Sequence, residues 1–425
     1  MFKEIFSTIT WKQSQITLVG VLINGLLGTL FYVVLARLLG PGSFGILTVS
    51  TAALTLIADM VDFGTNTGLV RFVSLNLVTK KEEAYKFLKL SLIIKIAVWL
   101  LVLLIGLLFS DHFANLIFQK PELSSPMKLV FIGVGGSLLF SFVASALQAY
   151  QKYFLWSFLN IITNLLRLGL IVALFYIGIL DVSSSILIYI ILPFFGFFLG
   201  FLFLPSRDFL LVKNEFTVAK KLFSFNIWVA LFTIIAAFSS RLETFIGARL
   251  LTSYDIGIYG AVNQLAQAIP QLVSALGVVV TPKFSSFLNS KDMVVYLKKL
   301  QFLVLGISAL ILFILPLAVY LLPLLLGSQY VGSAPSLIIL TLAMLIFLIS
   351  LPIHSSIIFY YGRPDVFVWI SLGHLTVVGI GGFLIISSYG LIGISITVFL
   401  GNLFNFIAPL IWFLVKYQNT KRKNG

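Results

Sequence analysis

Twelve apolar stretches, set apart by proline, glycine or clusters of charge, divide this chain from end to end. They cover residues 14–36, 44–76, 87–109, 127–151, 153–176 and 184–204 in the first half, and 222–248, 255–282, 299–322, 334–360, 364–386 and 390–415 in the second. A spanning helix needs about 20 mostly apolar residues, and only helices or closed barrels satisfy their backbone in lipid. The runs are continuous rather than alternating and rich in Leu, Ile and Phe, which selects helices over barrel strands. Only 10% of the residues are charged and 60% are hydrophobic, against roughly 25% charged in an ordinary soluble domain. The chain is therefore read as an all-α integral membrane protein with about twelve spans. The second stretch is too long for a plain crossing, so it must tilt, bend or project beyond the lipid.

Basic residues crowd the cytoplasmic loops of membrane proteins. With the N-terminus inside, 20 of the 28 Lys and Arg residues fall on the cytoplasmic side, Arg37, Lys120, Lys128 and Arg249 fall outside, and Arg71, Lys95, Arg167 and Arg241 remain within spans. This predicts a multi-pass protein of the cell membrane with both termini cytoplasmic. The net charge of +14 then reads as a topology signal. Scattered over short loops without a continuous stripe, the basic residues give no nucleic-acid surface. An impermeant thiol reagent applied to intact cells should label Ser328→Cys and spare Ser290→Cys, with no background because the chain has no cysteine; the opposite pattern would invert the topology. The opening "MFKEIFSTITWKQSQ" places Phe2, Ile5, Phe6 and Ile9 at helical spacing beside Lys3, Glu4 and Lys12, and reads as a short helix on the membrane surface. No small-x-small site ends the apolar stretch that follows, which argues against a cleaved signal peptide.

The phrase "ARLLGPGSFG" at 36–45 returns as "ARLLTSYDIG" at 248–257, an offset of 212 residues. In the same register Ile57 meets Ile269, Val61 meets Val273, and "RFVS" at 71–74 meets "KFSS" at 283–286. Each half holds six spans, an even number, so both insert the same way up. That is a parallel repeat about an axis along the membrane normal, with substrate expected between the halves near the midplane. The domains read from this are two six-helix bundles, 1–205 and 221–425, joined by a cytoplasmic linker at 206–220. An alternating-access transporter needs such an arrangement, whereas a rigid pore does not. The phrase itself reads as an outer hairpin: Arg37 sits where a helix C-terminus favours a cation, and Gly40 and Pro41 end the helix. A gating role is the alternative.

Through "ARLLGPGSFG", "DFGTNTGLVRF" at 62–72, and "SRLETFIGARLL" followed by "IGIYGAVNQL" around the seventh and eighth spans, the chain resembles the MOP exporter superfamily, in particular its polysaccharide transporter branch of Wzx-like oligosaccharide flippases. The resemblance implies a V-shaped pair of six-helix bundles. It also implies transfer of a polyprenyl-phosphate-linked or pyrophosphate-linked oligosaccharide from the cytoplasmic to the outer leaflet for cell-surface polysaccharide assembly. Membrane lipids and other polysaccharide-assembly proteins are the partners it suggests. Two positions depart from the pattern: Thr252 and Ser253 replace Gly40 and Pro41 in the second copy, and Glu243 stands where the branch often shows Asp.

A charge at the bilayer centre costs about 3 kcal/mol on insertion scales, so each one needs a partner or a role. Arg71 and Lys95 are either snorkelling anchors or cavity ligands. Arg167 shares a helical stripe with Asn160 and Asn164, which faces an aqueous cavity or a neighbouring helix. Arg241 and Glu243, two residues apart, point in different directions, so each should meet a group on another helix. Asp59 and Asp62, three apart, suit a shared proton or a sodium ion; alternatively Asp62, followed by Phe63 and Gly64, satisfies backbone at a bend. Gln264, Gln267 and Gln271 form a further stripe, and Asn402 and Asn405 a smaller one, with interhelical bonding as the alternative role. The candidate substrate ligands are thus Arg71, Lys95, Asn160, Asn164, Arg167, Arg241, Gln264 and Gln267. Asp59, Asp62 and Glu243 are candidates for coupling to a proton or sodium ion. "GFFLG" at 196–200 suits close helix packing, and Pro193, Pro270, Pro316, Pro352 and Pro409 interrupt spans.

Catalytic patterns are missing: the chain has no G-x-S-x-G elbow, P-loop, H-E-x-x-H or calcium loop. Without cysteine there are no disulfides or thiolate metal sites. His112, His354 and His374 stand singly, as satisfied polar residues rather than metal ligands. The reading is a transporter with no enzyme activity, metal or cofactor. Without a nucleotide-binding motif, an ion gradient or downstream consumption of product must drive it. The nearest rival is a cation-coupled multidrug exporter of the same superfamily. A membrane enzyme of polysaccharide assembly would need polar groups in outer loops, and those loops are short and poor in His and carboxylates.

Overall fold

The computed structural model describes residues 9–77, 79–213 and 215–424, so most of the amphipathic helix expected at the start of the chain lies outside the described residues. Among them the secondary structure is helical, with no strands. The first helices are α1 (Ile9–Val61), α2 (Thr65–Asn76), α3 (Lys81–His112), α4 (Ser124–Ala149), α5 (Tyr153–Ile177), α6 (Val182–Phe201), α7 (Ser206–Leu211) and α8 (Phe216–Ser239). They are followed by α9 (Leu242–Leu250), α10 (Ser253–Ala266), α11 (Ala268–Ser285), α12 (Ser290–Leu326), α13 (Ala334–Ser355), α14 (Asp365–Thr376) and α15 (Gly382–Asn424).

Nine stretches of the described residues are long and apolar enough to cross a membrane. Two of these, Thr17–Val61 and Asp365–Gln418, run for 45 and 54 residues, about twice what a crossing needs at roughly 1.5 Å per residue. Each is broken out of helical geometry at one glycine, Gly40 and Gly390 respectively, and so holds two crossings. The α10–α11 pair makes one more, interrupted at Gln267 because Pro270 has no N–H and its ring crowds the carbonyl of the preceding turn. The protein is thus an all-α multi-pass membrane protein, and its helices accommodate the twelve spans read from the sequence.

The two copies of the repeated phrase build their turns with different chemistry. In the first, Gly40 takes φ +73°, a conformation that disfavours any side chain, and Pro41 opens the next helix. In the second, the Thr252 hydroxyl accepts the Asp255 N–H at 3.1 Å while the Asp255 carboxylate accepts the Thr252 N–H at 3.3 Å, a reciprocal cap on α10.

The over-long second span is resolved by a bend. Phe63 at φ +50° and Gly64 at φ +68° break it between α1 and α2. The break also brings α2 close to α8. A Cβ on Gly64 would lie 2.7 Å from Val229 Cγ1, and one on Gly68 would lie 2.2 Å from Asn226 Oδ1. The bare face of "GTNTG" is what admits the neighbouring helix. "GFFLG" works in the same way on α6, where Gly196 and Gly200 face Phe140 and Val143 of α4 at 2.5 and 2.3 Å from the missing Cβ positions.

Packing divides the chain into two units. The first takes Gly42–Arg241 with the chain up to Phe31; the second takes Tyr32–Pro41 and everything from Leu242 onward. In the first unit Phe87, Phe142, Val143, Leu147, Leu159 and Leu222 are buried in one core. The stretch 206–220, expected as a linker, contributes to that core: Phe209 on α7 is fully buried, its ring 6.3 Å from that of Phe142 and 5.8 Å from that of Phe201. Polar ties surround it. Lys89 Nζ donates to the carbonyls of Leu210 and Val212 at 2.9 and 2.8 Å, Tyr85 Oη donates to Asp208 at 3.2 Å, and Lys86 meets Glu215 at 2.6 Å. The Lys86–Glu215 hydrogen bond holds the lysine above and the glutamate below their ordinary pKa values.

In the second unit Tyr330 Oη donates to the Ala36 carbonyl at 2.9 Å, and the Arg37 guanidinium donates to the Leu324 carbonyl in the last turn of α12. The repeated arginine thus serves a helix C-terminus, as its dipole argument requires, but the end it reaches belongs to another helix. His354 lies 2.9 Å from the Asn405 carbonyl. No group of metal-ligating residues occurs among the described residues.

Candidate functional site

The polar residues of the first unit gather in two clusters. In one, α5 supplies the predicted stripe. Asn164 Nδ2 donates to Asn24 Oδ1 at 2.6 Å, and its Oδ1 accepts from Arg167 Nη1 at 3.0 Å. The Arg167 guanidinium lies 4.3 Å from the centroid of the Tyr189 ring and 5.4 Å from that of Phe31, so α1 and α6 both hold it by cation–π contact. Its Nε is buried and meets no acceptor among the described residues. The residue as a whole is half-buried, and beyond the bond to Asn164 its guanidinium has further N–H donors of the kind that bind an anion or a polar group. Asn160 does not join this cluster: its amide turns back to the Trp156 carbonyl at 2.8 Å.

The other cluster forms at the bend of the second span. Asp62 accepts from the Thr65 hydroxyl at 2.9 Å and from the Asn66 N–H at 3.3 Å, and so caps α2. Lys95 from α3 is buried, 1% exposed, and its ammonium pairs with Asp62 Oδ1 while also reaching Ser141 Oγ at 3.2 Å. Asp59, exposed on the last turns of α1, lies within the electrostatic reach of Arg241 and Asp62.

The remaining candidates lie apart. Arg71 is exposed on α2, over the Phe225 ring at 4.8 Å from its centroid. Arg241 closes the first unit, and Glu243 is buried in the second. There the Glu243 carboxylate accepts from the hydroxyls of Thr244 and Tyr259 at 3.3 and 3.4 Å. Gln264 and Gln267 are half-buried at the end of α10, with Gln267 at the interruption itself. Sequence reasoning did not single out Asn24, Phe31, Tyr189, Thr65 or Ser141. Asn24 was legible as a lone amide in the first apolar run; the aromatic partners carry no pattern that marks them.

A family model described as "Polysaccharide biosynthesis protein" matches residues 10–288. No curated protein matches the sequence. Among solved structures, the fold is similar to the lipid II flippase MurJ in an inward closed conformation, with TM-score 0.70 and 18% identity over 94% of this chain and 87% of that one. It is similar to an inward-facing multidrug resistance MATE family transporter of the MOP superfamily, with TM-score 0.68 and 12% identity over 99% and 98% of the two chains. It is likewise similar to the Vibrio cholerae MATE transporter VcmN, with TM-score 0.66 and 18% identity over 97% of each chain. These identities speak for the fold alone. The family match, which takes in well over half of the sequence, places the chain among the polysaccharide biosynthesis proteins.

Proposed function

We propose that the protein is a flippase that moves a polyprenyl-linked oligosaccharide, carried on a phosphate or pyrophosphate, from the cytoplasmic to the outer leaflet of the cell membrane by alternating access. The observation that carries this reading is Arg167, a permanent cation inside the membrane span, half-buried and held in place by Asn164, Phe31 and Tyr189. Asn24 and Asn164 extend its polar surface toward sugar hydroxyls, while the prenyl tail stays in lipid. The family's description as a polysaccharide biosynthesis protein and the likeness to a lipid II flippase support the substrate class. In this reading both termini are cytoplasmic, the basic loops face the same side, and other polysaccharide-assembly proteins consume the product.

The likeness to multidrug transporters and the exposed carboxylate of Asp59 define the competing reading of a drug exporter coupled to a proton or sodium gradient. Purified protein should bind a polyprenyl-pyrophosphate-linked sugar and ignore a panel of cationic drugs. The converse preference, with drug binding that requires Asp59, overturns the proposal.

A further inference from the structure

Asp62 and Lys95 stand 33 residues apart in sequence, yet the fold buries their charges against each other. The surroundings are rich in oxygen. Lys95 Nζ lies 3.2 Å from Ser141 Oγ, which in turn donates to the Leu138 carbonyl at 2.8 Å. Thr65 Oγ1 sits 2.9 Å from the same Asp62 oxygen. The side-chain oxygen of Asn66, one helical turn past Asp62, is buried with no partner among the described residues. A carboxylate and two hydroxyls at a broken helix are oxygen donors of the kind that hard monovalent and divalent cations take. Here a lysine ammonium stands at the carboxylate instead.

Charge balance points the same way. The Asp62 carboxylate and the Lys95 ammonium cancel each other. The pair is neutral without a bound ion. A metal ion entering beside Asp62 would leave a buried ammonium uncompensated, which is strongly unfavourable in a low-dielectric interior.

We propose that Lys95 is a resident, covalently tethered cation that fills the place a coupling sodium ion would take beside Asp62, so that this cluster exchanges no metal ion during transport. It follows that Asp62 is a positioning residue, holding the bend between α1 and α2 shut with Lys95 and capping α2, and that transport is not driven by sodium at this cluster. Only the transport consequence rests on the flippase reading. The cation site is tested on the purified chain without any substrate.

The test measures thermal unfolding of the full-length protein in detergent with sodium, lithium or choline chloride at equal ionic strength. Wild-type protein should show the same midpoint in all three. Lys95→Ala, with the ammonium gone and the oxygens in place, should gain a saturable sodium or lithium response of roughly 2 to 5 °C at about a hundred times the dissociation constant. Adding Asp62→Asn to Lys95→Ala should abolish that response. Sodium stabilisation of the wild type that Asp62→Asn removes overturns the proposal, as does a folded Lys95→Ala that responds to no cation. If Lys95→Ala does not fold, equilibrium binding of radioactive sodium to the wild type decides: no saturable binding supports the tethered cation, and Asp62-dependent binding refutes it. Failure of sugar binding in the same preparation, with the cation results intact, would sink the flippase reading and leave this one standing.

Discussion

Cells carrying Arg167→Ala should lose delivery of the lipid-linked sugar to the outer leaflet while protein level and topology stay normal. Arg167 is fixed by one amide and two aromatic rings, so its geometry is set before any ligand arrives. A hydrogen bond to a charged group contributes about 1.5–3 kcal/mol, or roughly ten-fold to a hundred-fold or more in affinity, and a guanidinium offers two such bonds to a phosphate at once. Arg167→Lys keeps the charge and the ring contact but not the fork, and should restore part of the activity. Tyr189→Phe keeps the ring face and with it the cation–π contact to Arg167. Normal delivery by Arg167→Ala would remove the substrate role of this cluster, as would loss of delivery that merely tracks a fall in the melting midpoint.

The second large effect is on stability, and it lies where a cytoplasmic linker was expected. Phe209→Ala should destabilise the first unit by about 3–5 kcal/mol, the range for removing a fully buried aromatic side chain, because Phe209 is fully buried against Phe142 and Phe201. Phe209→Leu should cost clearly less. Thermal unfolding in detergent would reveal both effects. A change below about 1 kcal/mol for the alanine variant would mean that the core closes over the gap.

The difference between linker and core shows what the sequence carries and what it does not. The run "SRDFLLVKNEF" mixes charge and apolar residues in a connection, and nothing in its periodicity separates a buried Phe209 from the exposed Leu210 and Leu211 beside it. Which of the three faces the core depends on α3 and α4, which come from elsewhere in the chain. The spans and the bend of the second one were legible because each follows from local quantities: length, helical spacing, glycine. The α5 stripe was legible for Asn164 and Arg167 for the same reason, although Asn160 bonds to its own helix. The Lys95–Asp62 pair was not. An anchor and a buried partner look alike in an apolar run, and only the packing of α3 on the bend distinguishes them.

The two turns after "ARLL" have an evolutionary consequence. Gly40 and Thr252 hold equivalent places in the two copies, but exchanging them one residue at a time is not symmetrical. A threonine at position 40 would put a β-branched side chain at φ +73°, and three residues on it would find Ser43 in place of an aspartate. A glycine at position 252 would give up the hydroxyl that Asp255 requires. A threonine held at φ +73° costs about 1–3 kcal/mol of backbone strain, whereas a glycine in place of a threonine cap costs only about a few tenths of a kcal/mol. The exchange is therefore lopsided: the second turn can give up its threonine at little cost, while the first cannot take one without a change of backbone.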